Sequence, residues 1–145
     1  MPTRTARTAW TGSLAQGSGQ VELSSSGVGT YQVSFPKRAA EDADGTTSPE
    51  ELIAAAHSSC FAMALSNEIG KAGGTTNSLD VTADVTLGQK DGAPTITAIK
   101  LTVRGSVDGL DDAGFEKAAQ AAKAGCPVSK ALAGVQDMQL DAKLA

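Results

Sequence analysis

The alternation of apolar and polar residues is cleanest in the middle of the chain. In SLDVTADVTL, Leu79, Val81, Ala83, Val85 and Leu87 fall on one side, and Asp80, Thr82, Asp84 and Thr86 on the other. A period of two is the mark of a half-buried strand. ITAIKLTVRGSV repeats it from Ile96 to Val107, and GQKDGAP between the two reads as a hairpin loop. The final segment, QDMQLDAKL, alternates again. Towards the N-terminus the strands are shorter. Thr5 to Trp10, Gln20 to Leu23 and a third segment ending at Phe35 are predicted strands, separated by GSLAQGSG and by a second turn. Residues 36–47, PKRAAEDADGTT, read as a polar loop.

A different pattern runs from Ser48 to about Lys71. Ser48 is a good N-cap, Pro49 suits the first helical position, and Glu51 stands where a capping box needs its acid. Gly73 and Gly74 end the helix. Leu52, Ile53, Ala54–Ala56, Phe61–Leu65 and Ile69 cover most of its circumference, which predicts a central helix. Its alanines would let another helix approach closely. A second helix is predicted over DDAGFEKAAQAAKAG, stopped by Gly125, and a short third over CPVSKAL with Pro127 in its first turn. Three strands, a helix, a hairpin, two helices and a strand make an α+β fold.

A length of 145 residues fits a single domain, 1–145. Leu, Ile, Val and Phe together number only 27, so the core is built largely from small side chains. Such a core gains by burying area against a second chain, which predicts a two-fold homodimer. The net charge of -4 and the lack of a basic, aromatic-rich stripe argue against nucleic acid as a partner. No apolar run reaches the roughly 18 residues of a membrane span. The opening MPTRTARTAWTG has charges but no apolar signal core. The expectation is a cytoplasmic protein without a membrane partner. A disulfide there is catalytic or regulatory rather than structural.

Two thiols are the natural candidates for chemistry. Cys60 lies inside the long helix, and Cys126 at the N-cap of the third, where unpaired N–H groups favour a thiolate. Each also reads as a small buried hydrophobe. His57 is the sole histidine, on the same helix face as Cys60. With no CxxC and no second histidine, no metal site and no cofactor are expected, and His57 reads as a core or surface residue rather than a base. Arg38, Glu50 and Glu51 are the charged neighbours. A solvated loop residue, a favourable charge at a helix start and a capping acid account for them without a function.

TSPEELIAAAHSSCFAMALS, SLDVTADVTL and AKAGCPVSKAL closely resemble the OsmC/Ohr family of thiol peroxidases. The OsmC (osmotically inducible protein C) branch fits better than the organic hydroperoxide resistance branch. Its arginine comes late, in a segment like FPKRAAE, and its helix carries AAH separated from the cysteine by two residues. The resemblance implies antiparallel sheets around long central helices in an intertwined homodimer. It implies a peroxidase in which Cys60 attacks an organic hydroperoxide and Cys126 resolves the product. Arg38 matches the family's active-site arginine, with Lys37 beside it as the alternative, and Glu50 matches its glutamate partner. An external dithiol, of lipoyl type by resemblance, would reduce the enzyme.

Ten helical positions amount to about 15 Å of rise. The spacing therefore predicts that Glu50 serves the site of the other chain. Phe35, Phe61 and Met63 are expected to supply an apolar pocket beside Cys60, favouring alkyl or aryl hydroperoxides over hydrogen peroxide. The alternative functions are a thiol redox sensor or stress-induced binding protein using the same pair, and a structural stress protein with inert cysteines.

Overall fold

The computed structural model describes residues Met1–Ala145. The fold is α+β, and the chain forms two compact units, Met1–Leu52 and Ile53–Ala145. No helix is long and apolar enough to cross a membrane.

The N-terminal unit is an antiparallel meander of β1 (Arg7–Thr11), β2 (Ser18–Glu22) and β3 (Thr30–Val33). Its one buried hydrophobic residue is Val21. The expected loop after β3 begins with a helical turn instead, α1 (Phe35–Arg38), which takes Phe35 out of the strand. Ser34 caps it by accepting from the backbone N–H of Lys37, and Pro36 fits its first turn. The chain then returns to β3, where Thr47 bridges Val33 in parallel.

The long helix, α2 (Pro49–Lys71), begins in this unit and continues into the next. Ser48 caps it, its Oγ accepting from the N–H of Glu51 at 3.2 Å. The Glu51 carboxylate accepts from the Thr47 hydroxyl at 2.6 Å rather than completing a capping box. At the far end the N–H of Gly74 reaches the carbonyl of Ile69, with Gly73 at φ 86°. A left-handed residue there suits glycine.

In the C-terminal unit β4 (Thr75–Lys90), β5 (Ala93–Asp108) and β6 (Asp137–Leu144) form one sheet. The hairpin strands are longer than the periodicity suggests, and only Asp91 and Gly92 form the turn. Both have positive φ, as a two-residue type I′ turn requires. The pairing shifts register between Thr76 and Ser78 and between Thr86 and Leu87. Each shift adds a residue to one strand and so switches which parity faces inward. That is why Ile96, out of phase with Ile99, Leu101 and Val103, still belongs to the same half-buried surface. β6 joins β5 in parallel. A parallel neighbour needs a crossover, supplied by α3 (Asp112–Gly125) and α4 (Pro127–Ala131).

The core of this unit unites Phe61, Leu65 and Ile69 of α2, Leu101 and Val103 of β5, and Phe115, Ala118, Ala119 and Ala122 of α3. Both long helices therefore cover one face of the sheet, while Asp80, Thr82, Asp84 and Thr86 face water. Gly105 makes this packing possible. A Cβ there would lie 2.8 Å from the Phe115 ring. The α2 helix is less enclosed than its composition suggests. His57, Phe61, Leu65 and Ile69 form a buried stripe at four-residue spacing, but Ala55, Ala56, Ser59 and Met63 are exposed.

Phe61 is fully buried, so Phe61→Ala is expected to cost about 3–5 kcal/mol in urea unfolding. Gly105→Ala should destabilise as well, because the added carbon must displace the Phe115 ring. A Gly105→Ala chain with unchanged midpoint would refute this packing.

Candidate functional site

Helix α2 carries Cys60 at the border between its buried stripe and its exposed face. The thiol is consequently half-buried, not enclosed as the sequence suggested. Helix α3 ends at Gly125, and the next residue, Cys126, has a non-helical backbone (φ -57°, ψ 125°) and stands at the N-cap of α4. Cys126 is fully buried. The two sulfurs, 66 positions apart in sequence, lie 2.9 Å from each other. That is closer than two sulfurs merely in contact, yet both are free thiols.

A cavity of about 490 Å³ opens over Cys60. Met63, Ala64, Ala121, Ala122 and Pro127 supply its apolar wall, and Asn67, Glu68 and Lys71 its polar side. Of the residues expected to make a pocket beside Cys60, Met63 does so. Phe61 turns into the core, and Phe35 lines a cavity of the N-terminal unit.

Within this unit the two thiols are electrostatically unequal. Burial, and then the hydrogen bond with Cys126, push the Cys60 thiol up. Burial also opposes ionisation of Cys126. It is outweighed by the Cys60 thiol, by the N–H groups of Ser129 and Val128 and by the Ser129 hydroxyl, so Cys126 titrates below its ordinary range. None of these donors closes a side-chain cap at Cys126.

His57 is fully buried, and its Nε2 lies 2.7 Å from the Oγ of Ser129, itself buried. Burial holds the imidazole below its usual pKa, so the ring is neutral. No three His, Cys, Asp or Glu side chains gather to hold a metal ion. Ser129 was not singled out by its sequence. The only trace is its position three residues after Cys126, on the same side of a helical turn.

In the N-terminal unit Arg38 and Glu50 form a clamp. Arg38 donates from Nε to both carboxylate oxygens at 3.1 Å and from Nη2 to Oε1 at 2.7 Å. Fork-on-fork pairing fixes the guanidinium plane and leaves Nη1 for another acceptor. The Glu50 side chain is 9% exposed and that of Arg38 32%. Burial alone would raise the Glu50 pKa, but Arg38, a backbone N–H and Ser48 bring it below the ordinary carboxylate value. Lys37 instead pairs with Asp44 at 2.8 Å in solvent. Arg38, not Lys37, therefore meets the glutamate. Beside Arg38 lies an apolar cavity of about 280 Å³ with Trp10, Leu14, Val21, Val33, Phe35 and Leu52 in its wall.

A family profile described as OsmC-like protein matches residues 41–141. The chain belongs to the OsmC-like family. It is 43% identical over 123 residues, 85% of each chain, to the protein named peroxiredoxin OsmC of Escherichia coli K12. Among solved structures, an organic hydroperoxide resistance protein from Elizabethkingia anophelis superposes with a TM-score of 0.80 at 28% identity, covering 100% of this chain and 98% of that one. OhrB of Bacillus subtilis, an organic hydroperoxide resistance protein, superposes at 0.74 with 29% identity over 96% and 98%. The two superpositions span nearly the whole chain, and the family profile, which begins at residue 41, includes Cys60 and Cys126.

The sign of the pH dependence at Glu50 follows from its depressed pKa. The stabilisation is present above the unfolded glutamate value, about 4.3, and is lost as pH falls through the lower folded value. Glu50→Gln is expected to lose about 1–2 kcal/mol at neutral pH by urea unfolding. That deficit should shrink towards zero below about pH 4. A deficit independent of pH would show that the clamp is not ionic.

Proposed function

We propose that this chain is a thiol-dependent peroxidase that reduces organic hydroperoxides to alcohols. The observation that carries the reading is the sulfur pair: one thiol reachable from a largely apolar cavity, the other buried 2.9 Å behind it. The names of the relatives, peroxiredoxin and organic hydroperoxide resistance protein, point the same way.

The Cys60 thiolate attacks the outer peroxide oxygen. A sulfur–oxygen bond forms, the oxygen–oxygen bond breaks, and the alkoxide takes a proton to become an alcohol. The Cys126 thiolate then attacks the sulfenic sulfur and displaces hydroxide, which is protonated to water. An external dithiol, of lipoyl type by family likeness, reopens the disulfide by exchange and is itself oxidised.

Burial works against the first step by holding the proton on Cys60. A cation beside the sulfur reverses that preference and stabilises charge on the departing alkoxide. Arg38, oriented by Glu50, is the group we assign to this task. Helical rise separates Glu50 from the Cys60 of its own chain by about 15 Å, so we assign the clamp to the site of a second copy. A homodimer also suits the exposed Trp10, Leu14, Val28, Tyr31 and Met63, which are costly to leave in water. In this reading both compact units work as a single domain, 1–145.

With a dithiol present, the chain should consume many equivalents of cumene hydroperoxide, and hydrogen peroxide with lower efficiency. A redox sensor built on the same pair would consume about one. Cys60→Ser should abolish turnover. One equivalent of hydroperoxide should remove two hydrogens from the chain and cross-link Cys60 to Cys126 by mass spectrometry. Full turnover by Cys60→Ser would overturn the assignment.

A further inference from the structure

We propose that the buried contact between His57 and Ser129 is a latch between helices: it holds the turn that carries Cys126 against the helix that carries Cys60 whenever the bond between the two sulfurs is open. The proposal rests on the peroxidase reading and adds two positioning residues to its second step.

The geometry is a pair of rungs. His57 and Cys60 lie three residues apart on one face of α2. Cys126 and Ser129 lie three residues apart at the start of α4. The two sulfurs are 2.9 Å apart, and Nε2 of His57 is 2.7 Å from Oγ of Ser129. Residue 57 thus meets 129 where 60 meets 126, so α2 and α4 run in opposite senses. Three residues of helix place the rungs roughly 4.5 Å apart along the axis. Only the sulfur rung opens and closes in the proposed cycle.

Little else holds α4 in place. Ser129 is its one buried residue. The hydrophobic core of this unit draws on α2, α3 and β5 and contains no residue of α4. A helical turn ordinarily docks through apolar side chains, whereas this one buries a hydroxyl, which needs a partner. His57 is that partner. It is itself fully buried, and its Nδ1 has no other hydrogen bond. Neither group can swing away without leaving buried polar atoms unmet.

Backbone bonds carry the position of Ser129 to Cys126. The N–H of Lys130 donates to the carbonyl of Cys126 at 3.0 Å, which makes Cys126 part of the turn that Ser129 pins. The N–H of Cys126 donates to the carbonyl of Ala122 at 2.8 Å and ties the same residue to the end of α3. The latch therefore acts through the peptide chain and needs no contact between Ser129 and the sulfur.

In the second step the Cys126 thiol and the Cys60 sulfenic acid give a disulfide and water. The S–S bond forms as the S–O bond breaks. The Cys126 sulfur is oxidised, the sulfenic sulfur is reduced, and the thiol proton leaves with the hydroxide. The rate of closure and the stability of the product both follow the effective concentration of one sulfur at the other. The His57–Ser129 contact is present with both thiols free. In the disulfide the S–S bond itself holds α4. Loosening α4 therefore penalises closure alone, and the midpoint potential of the pair reports it. A change that weakens both redox forms equally leaves the potential where it was.

The full chain is equilibrated in mixtures of lipoamide and dihydrolipoamide, quenched and alkylated, and the disulfide fraction is read by mass spectrometry. Ser129→Ala should lower the equilibrium constant for disulfide formation about tenfold, a rise of about 30 mV in midpoint potential. His57→Phe should do the same. Ser129→Thr keeps the hydroxyl and should restore most of the parent value. Gly105→Ala disturbs the Phe115 ring rather than α4 and should leave the potential unmoved; an equal shift there overturns the latch. After one equivalent of cumene hydroperoxide, Ser129→Ala should form sulfenic Cys60 at the parent rate and close the disulfide about tenfold more slowly. Ser129→Ala removes a single oxygen, so it remains decisive if His57→Phe does not fold. An unchanged midpoint in folded Ser129→Ala overturns the latch and leaves the peroxidase reading intact. A shifted midpoint in a chain that forms no sulfenic acid with hydroperoxide keeps the latch and overturns the peroxidase reading.

Discussion

The placement of Cys60 depends on the four-residue stripe of His57, Phe61, Leu65 and Ile69, which presses α2 onto the sheet. Once that stripe is buried, every other position on the helix has its exposure set by angle. Cys60 falls on the margin, open to a cavity on one side and to Cys126 on the other. A shift of one residue would bury the thiol, as Phe61 is buried, or leave it in water, as Ser59 is exposed. The hydrophobic core thus sets the reach of the reactive atom, although none of its aliphatic or aromatic members takes part in the chemistry.

The same packing creates an electrostatic problem. A thiol sheltered from water holds its proton more tightly, and burial pushes the Cys60 thiol up. The N-terminal unit holds the complementary feature, a guanidinium fixed by two-point contact with a carboxylate and left with a free Nη1.

The parts of the fold legible in the sequence are those fixed by neighbouring residues. Ser48, Pro49 and the Gly73–Gly74 pair define α2 almost to the residue, because caps are local chemistry. The hairpin was underestimated. Gly88, Gln89, Lys90 and Pro94 resemble loop residues, and cross-strand pairing alone makes them strand. Its bulges left no mark on the pattern. Cys60 and Cys126 are conspicuous as the chain's two thiols, whereas Arg38 and Glu50 stand out only through the family likeness. The Arg38–Glu50 clamp needs the chain to return at the Val33–Thr47 bridge, and the His57–Ser129 contact joins residues 72 positions apart. Such meetings are products of tertiary structure, and no local rule contains them.

The parallel docking of β6 has a consequence for how the protein is made. A strand that arrives by crossover pairs only after the whole connection has been laid down. Cys126 lies inside that connection, and β6 (Asp137–Leu144) closes it soon after α4 ends at Ala131. Until β6 pairs, the segment that carries Cys126 is not anchored to the sheet, so the 2.9 Å meeting of the two sulfurs depends on a strand that follows both of them in the chain.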